Sequence, residues 1–164
     1  MAKSGEFVKD TRVIGYVRVE NRDDLYITDQ NSRLEGWANR EAIDVVQIEH
    51  EVSNGQQLMR TGVWKVLRMV ACSNCEPKPM PMIMDYDFWF KEVMKPCSCK
   101  APLPSHGLLI DDIKILAANP PQGAKFILDM CMHKKHLYSV REKRCLSCCN
   151  PQAIAFLKRQ TLGG

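Results

Sequence analysis

Apolar and polar residues alternate along "TRVIGYVRVE" (residues 11–20). Val13, Val17 and Val19 lie on one face, Ile14 and Tyr16 on the other. A period of two in a β-branched run predicts a strand. "AIDVVQIEHEV" repeats the pattern through Val46, Ile48, His50 and Val52. "GVWKVLRMVA" sets Val63, Lys65, Leu67 and Met69 against Trp64, Val66, Arg68 and Val70. Turn residues in "SNGQQ" separate these two segments, so the pattern predicts an antiparallel hairpin. "DQNSRLEGWANREA", between the first two segments, reads as a loop or short helix.

The pattern changes after residue 70. Prolines 77, 79, 81, 96, 102 and 104 bracket "IMDYDFWFKEVM", which suits a strand or a short helix. "HGLLIDDIKILAANPP" places Leu109, Asp112, Ile113 and Leu116 at helical spacing and predicts a helix ending at Asn119-Pro120-Pro121. "GAKFILDMCMHKKHLYSV" fits a strand and turn, or a helix. "NPQAIAFLKRQTL" predicts a last helix, with Asn150 as N-cap and Pro151 at its first position. The predicted architecture is α+β. A small antiparallel β-rich N-terminal part (1–60) precedes a zinc-stabilised part with two zinc-finger or ribbon-like sites (61–150). A C-terminal helix and tail follow (151–164).

The zinc expectation comes from the cysteines. All eight lie between Cys72 and Cys149, grouped as C-x2-C, C-x-C, C-x-H-x2-H and C-x2-C-C. The N-terminus has no apolar signal-like stretch, and no apolar run is long enough to span a membrane. A reducing compartment is therefore expected, where grouped cysteines favour metal over disulfides. A C-x2-C turn directs two sulfurs at one ion, and a second pair about twenty residues on closes a tetrahedral site. This gives Cys72, Cys75, Cys97 and Cys99 as a first site. Cys131, His136, Cys145 and Cys148 form a second, with His133 and Cys149 as alternates. Two structural zinc ions per chain would supply roughly 10 kcal/mol or more each to folding. With both sites closed, and no H-E-x-x-H, nucleophile elbow, P-loop or dinucleotide fingerprint, the sequence argues against an enzyme.

Charge suggests a partner. The net charge is +4 overall, but Pro121–Gly164 holds eight Lys+Arg against two acids. A basic C-terminal third suggests an anionic partner, nucleic acid first. Lys134, Lys135, Arg141, Lys143 and Arg144 are the expected contacts. Trp89 and Phe90 are candidate stacking or interface residues, with the hydrophobic core as the competing place for them.

The run "VACSNC", the distant "CSC", then "LLIDDI" and "FILDMCMHKKH…C" resemble the cysteine-rich protein encoded at the 5′ end of sobemovirus genomes. The similarity spans roughly residues 62 to 148 and is mostly cysteine spacing. The second pair here is C-x-C rather than C-x2-C, and "CLSCC" has no counterpart. The resemblance implies a non-enzymatic viral effector that suppresses RNA silencing and aids virus spread. It implies binding of small RNA or a host silencing protein, a place in the host cytoplasm or nucleus, and homodimer formation. It assigns Cys72, Cys75, Cys97 and Cys99 to the first zinc, and Cys131, His136 and Cys145 to the second. The alternative reading is a zinc-stabilised nucleic-acid-binding module or protein–protein adaptor, redox-regulated, with no viral role.

Overall fold

The computed structural model describes residues 11–20, 24–53, 58–72, 80, 85–95, 107–117 and 119–147. Strand β1 (Arg12–Val19) is wholly buried from Val13 to Val17. A strand apolar on both faces belongs inside a sheet covered on both sides. β1 accordingly pairs in parallel with β2 (Asp44–Val52) on one side and with β3 (Gly107–Ile110) on the other. β4 (Leu137–Ser139) adds in parallel to β3, and the two-residue β5 (Arg144–Cys145) returns antiparallel. The order across the sheet is β2-β1-β3-β4-β5.

Parallel neighbours need crossover connections, which are usually helical. Helix α1 (Asp24–Arg40) joins β1 to β2, and α2 (Thr61–Ala71) and α3 (Tyr86–Val93) lie between β2 and β3. The short α4 (Ile113–Leu116) and α5 (Pro120–Met132) lie between β3 and β4. Two cores result. Val13, Val17 and Leu109 pack against Leu34, Trp37 and Ala38 of α1 on one face. Ile14, Tyr16, Leu108 and Ile110 pack against α2, α3 and α5 on the other.

Several sequence expectations are corrected here. β1 and β2 are parallel and joined through a 17-residue helix, not a loop or short helix. The predicted second strand of the hairpin is helix α2. Its buried set, Val63, Trp64, Val66, Leu67 and Val70, follows helical spacing. Each such fully buried side chain contributes about 1.5–3 kcal/mol relative to exposure. Arg68 obscured that spacing. It is buried because its Nη1 donates to Val93 O at 2.9 Å and Lys95 O at 3.2 Å, satisfying carbonyls at the end of α3.

"GLLI" is a strand rather than the start of a helix. Asn119-Pro120-Pro121 begins α5 rather than ending a helix, and the Asn119 side chain accepts the Gln122 N–H at 3.1 Å. The fold is α+β, but the expected antiparallel first part and zinc-stabilised second part give way to one mixed sheet. That sheet joins strands from both sides of residue 60. The predicted helix after Asn150 lies outside the described residues.

Helix α2 has no side-chain cap of its own. Instead Glu51, near the end of β2, accepts the Gly62 N–H at 3.0 Å. The carboxylate thus serves the positive end of α2 from the neighbouring strand. Gly62 is required for this approach, since a Cβ there would lie 2.4 Å from the Glu51 carboxylate. Gly36, within α1, would meet nothing closer than the tip of Arg40 at 3.6 Å. Gly36→Ala should therefore stabilise by about 0.5–1 kcal/mol. Gly62→Ala should destabilise by about 1–3 kcal/mol, because crowding outweighs helix propensity. Urea unfolding of both variants checks this, and equal stabilities would refute the capping role of Glu51.

Candidate functional site

Open α/β sheets bind ligands beyond the carboxyl ends of their strands, where successive connections diverge to opposite sides. In this sheet that point is the carboxyl end of β1, between β2 and β3. Tyr16 and Arg18, two residues apart on β1, share one face of the strand. Tyr16 is buried and donates its hydroxyl hydrogen to Glu51 of β2. Arg60, just before α2, is 9% exposed, and its Nε lies 3.2 Å from Glu51 Oε1. Its Nη2 donates to the Tyr16 hydroxyl at 2.8 Å and to Ile115 O at 3.0 Å. Its Nη1 donates to Leu116 O at 2.9 Å. Arg60 thereby ties β1, β2 and α4 together.

Arg18 is only partly spent. Nε donates to Ile115 O at 2.9 Å and Nη1 to Ser53 O at 2.6 Å. Its Nη2 has no partner among the described residues. Gln30 of α1 is fully buried and donates to the Arg18 carbonyl at 3.1 Å, fixing the strand end from the opposite face. Farther along the same edge, Arg33 of α1 grips Asp111 after β3 with Nε and Nη2, the closest contact being 2.8 Å. That pair raises the guanidinium pKa of Arg33, chiefly through its hydrogen bonds to Asp111.

Arg60 thus pairs with the Glu51 carboxylate, while Arg18 is held by the Ile115 and Ser53 carbonyls. Arg18 keeps one guanidinium edge to offer, which suits an anionic ligand. Tyr16 does not supply negative charge. Burial raises its pKa well above the ordinary phenol value, and the opposing pull of Arg60 is smaller. A phenol held protonated is not a nucleophile at neutral pH.

Of the sequence-predicted ligands, Cys72, Cys131, His133, His136 and Cys145 lie among the described residues. Cys72 is buried at the end of α2, while Cys75, Cys97, Cys99, Cys148 and Cys149 lie outside the described residues. Cys131 is buried and disulfide-bonded, so it has no thiolate to give a metal. His136 Nδ1 does meet Cys145 Sγ at 3.4 Å. His133 instead contacts Asp129 O at 3.0 Å and packs edge-on against Phe90. Among the described residues no group of three or more His, Cys, Asp or Glu is placed to hold a metal ion. The expectation of two zinc ions per chain is corrected accordingly.

The predicted contact residues also separate. Trp89 and Phe90 are 1% and 2% exposed core residues, packed against Trp64 and Phe126 respectively. Lys134 and Lys135 precede β4, at the amino ends of the strands, while Arg141, Lys143 and Arg144 follow it, at the carboxyl ends. Among the described residues no helix is long and apolar enough to cross a membrane.

No protein-family model matches the chain, and no curated protein matches it. Among solved structures, it is similar to the N-terminal catalytic domain of TP901-1 integrase. The TM-score is 0.57 and the sequence identity 15%, over 92% of each chain. The likeness is one of fold. It overturns the expected kinship with the sobemovirus cysteine-rich protein, and with it the non-enzymatic silencing suppressor. The argument against an enzyme loses its support too, because it leaned on closed zinc sites and no such site is present among the described residues, while the fold resembles that of the integrase domain.

Sequence reasoning missed Tyr16, Arg18, Gln30, Glu51 and Arg60 as a group. A signal was available. Arg18 is a half-buried charge within the otherwise uncharged run Val13–Val19 of β1, and such a charge needs a reason.

The Tyr16 proton gives a pH test. The folded chain holds it more tightly than the unfolded chain, whose phenols release theirs near pH 10. Its stabilising effect is complete below that pH and is lost as pH rises above it. Tyr86 shifts in the same direction, mainly through burial. Stability of the wild type should fall above about pH 10, and Tyr16→Phe should lessen that fall. Denaturant unfolding across alkaline pH, with phenolate absorbance as a second probe, checks it. A Tyr16 phenolate appearing before unfolding would contradict the assignment.

Proposed function

We propose that the chain acts on DNA, binding a backbone phosphodiester at the carboxyl edge of β1 and hydrolysing it there: water adds to phosphorus, one P–O ester bond breaks, and the departing deoxyribose oxygen takes a proton from that water. The observation that supports this reading is Arg18. Two of its nitrogens are held by the Ile115 and Ser53 carbonyls, and the third is left to a ligand at the switch point of the sheet. A guanidinium fixed in this way has already lost its rotamer freedom, so little is lost when a phosphate binds.

The fold resemblance to an integrase catalytic domain makes DNA the substrate class to test. In phosphoryl transfer, charge builds on the non-bridging oxygens, and a preorganised guanidinium stabilises that charge. Arg60 positions rather than reacts, since its donors go to Glu51, Tyr16 and the α4 carbonyls. Tyr16, held protonated by burial, completes this frame and is not the attacking group.

The test is binding and strand breakage on supercoiled plasmid. Wild-type protein should bind with an affinity that falls with salt, since counterion release dominates backbone contacts. It should also convert the plasmid to nicked or relaxed forms. Arg18→Lys keeps the charge but loses the planar fork, and should lower strand breakage by about 100-fold or more. A thermal melt close to wild type confirms that the variant is folded. Absence of DNA binding by the wild type, or breakage unaffected by Arg18→Lys, would refute the reading.

A further inference from the structure

We propose that the β4–β5 hairpin is a second DNA-backbone contact, in line with Arg18, with Arg141, Lys143 and Arg144 as its phosphate-binding residues; this rests on the reading of the Arg18 edge given above. β4 runs parallel to β3, which runs parallel to β1, so the hairpin tip emerges at the same edge of the sheet as the end of β1. Arg144 opens β5 opposite Ser139, the last residue of β4, and so lies at that edge too.

The tip is fixed in place. Val140 N–H donates to Ile110 O at 3.0 Å, and Arg141 N–H to Asp111 O at 2.9 Å. Lys143 N–H closes the turn on Val140 O at 3.1 Å. Arg141 Nε lies 3.6 Å from Asp112, with 70% of the side chain still exposed. Lys143 and Arg144 are also exposed. Three cations against Glu142 and Asp112, the ion-pair partner of Arg141, leave the tip one charge positive.

The spacing suits a nucleic-acid strand. β1 and β4 are separated by two strand intervals, about 10 Å. Successive phosphates along one DNA strand advance about 3.4 Å. A duplex whose axis follows the carboxyl edge therefore spans from Arg18 to the hairpin in about three base pairs, since about 3.4 Å is the rise along the helix axis. Between them the Arg33–Asp111 ion pair presents a neutralised surface.

Lys143, like Lys134 at the amino edge, lies in the left-handed region that glycine adopts without strain, with φ values of 56° and 59° respectively. Lys134 and Lys135 give the internal contrast. They are also basic, but they lie at the amino edge of the sheet and cannot reach the same strand of DNA.

The experiment measures binding of the full chain to a 30-base-pair DNA duplex by fluorescence anisotropy across a series of salt concentrations. Each phosphate contact adds about 0.9 to the magnitude of the slope of log K against log salt. The triple variant Arg141→Ala/Lys143→Gly/Arg144→Ala should lose about 2–3 from that slope. Lys143→Gly alone should lose about 0.9 while melting at or above the wild-type temperature. Lys134→Ala/Lys135→Ala should keep the wild-type slope.

An unchanged slope in the triple variant, alongside weakened binding by Arg18→Lys, would overturn the hairpin contact and leave the Arg18 reading standing. Equal losses from the hairpin and the Lys134/Lys135 variants would overturn it as well, by showing a diffuse charge effect. Equal affinity for a duplex RNA of the same length would overturn DNA as the partner. No binding by the wild type would overturn this proposal and the Arg18 reading together.

Discussion

The Glu51 carboxylate is the interaction on which the rest of the molecule depends. It accepts the Tyr16 hydroxyl from β1, the Arg60 guanidinium from the start of α2 and the Gly62 amide of α2 itself. A half-buried carboxylate is tolerated only when such partners replace water. In return it fixes the angle at which α2 leaves the sheet, and so where Trp64 and Leu67 enter the core. Through Arg60 the same charge reaches the Ile115 and Leu116 carbonyls of α4. Structure and candidate chemistry share this point, since the atoms that close the sheet edge also set its electrostatic sign.

That sharing explains why Arg18 differs from Arg60. Both guanidiniums approach Ile115 O, and of the two it is Arg60 that pairs with Glu51. Arg60 takes the buried place and spends its donors on the fold. Arg18 takes the outer place and keeps one edge uncommitted. Arginine suits this arrangement because it stays charged at any physiological pH and carries enough donors to serve two masters at once.

The sequence was legible where a strand or helix followed a simple period, and misleading where a polar residue broke it for a structural reason. β1 and β2 were readable from β-branched alternation. Their parallel pairing was not, because alternation says nothing about the direction of a partner. α2 was misread because Arg68 and Lys65 mimicked alternation, when Arg68 is a buried donor to the end of α3. Asn119 and the two prolines were recognised as a boundary, but assigned to the wrong side of it. The cysteine spacing pointed to metal, and the fold instead places Cys131 in a disulfide and Cys72 at the end of a packed helix. The Arg18 cluster was hidden for another reason. Its members come from β1, α1, β2 and the start of α2, and no local motif records a meeting made by tertiary structure.

The central position of β1 has a consequence for how the chain reaches this state. Its two flanks are filled by β2, which follows after one helix, and by β3, whose Gly107 pairs with Val13 from far along the sequence. Closing so long a loop is slow, because its entropy is lost before the pairing rewards it. The local unit of β1, α1 and β2 can form first, but it leaves one side of β1 without backbone partners. The Ile115 and Leu116 carbonyls that hold Arg18 and Arg60 arrive only with the segment that follows β3. The cationic edge is therefore a late product of folding, and partly folded chains lack it.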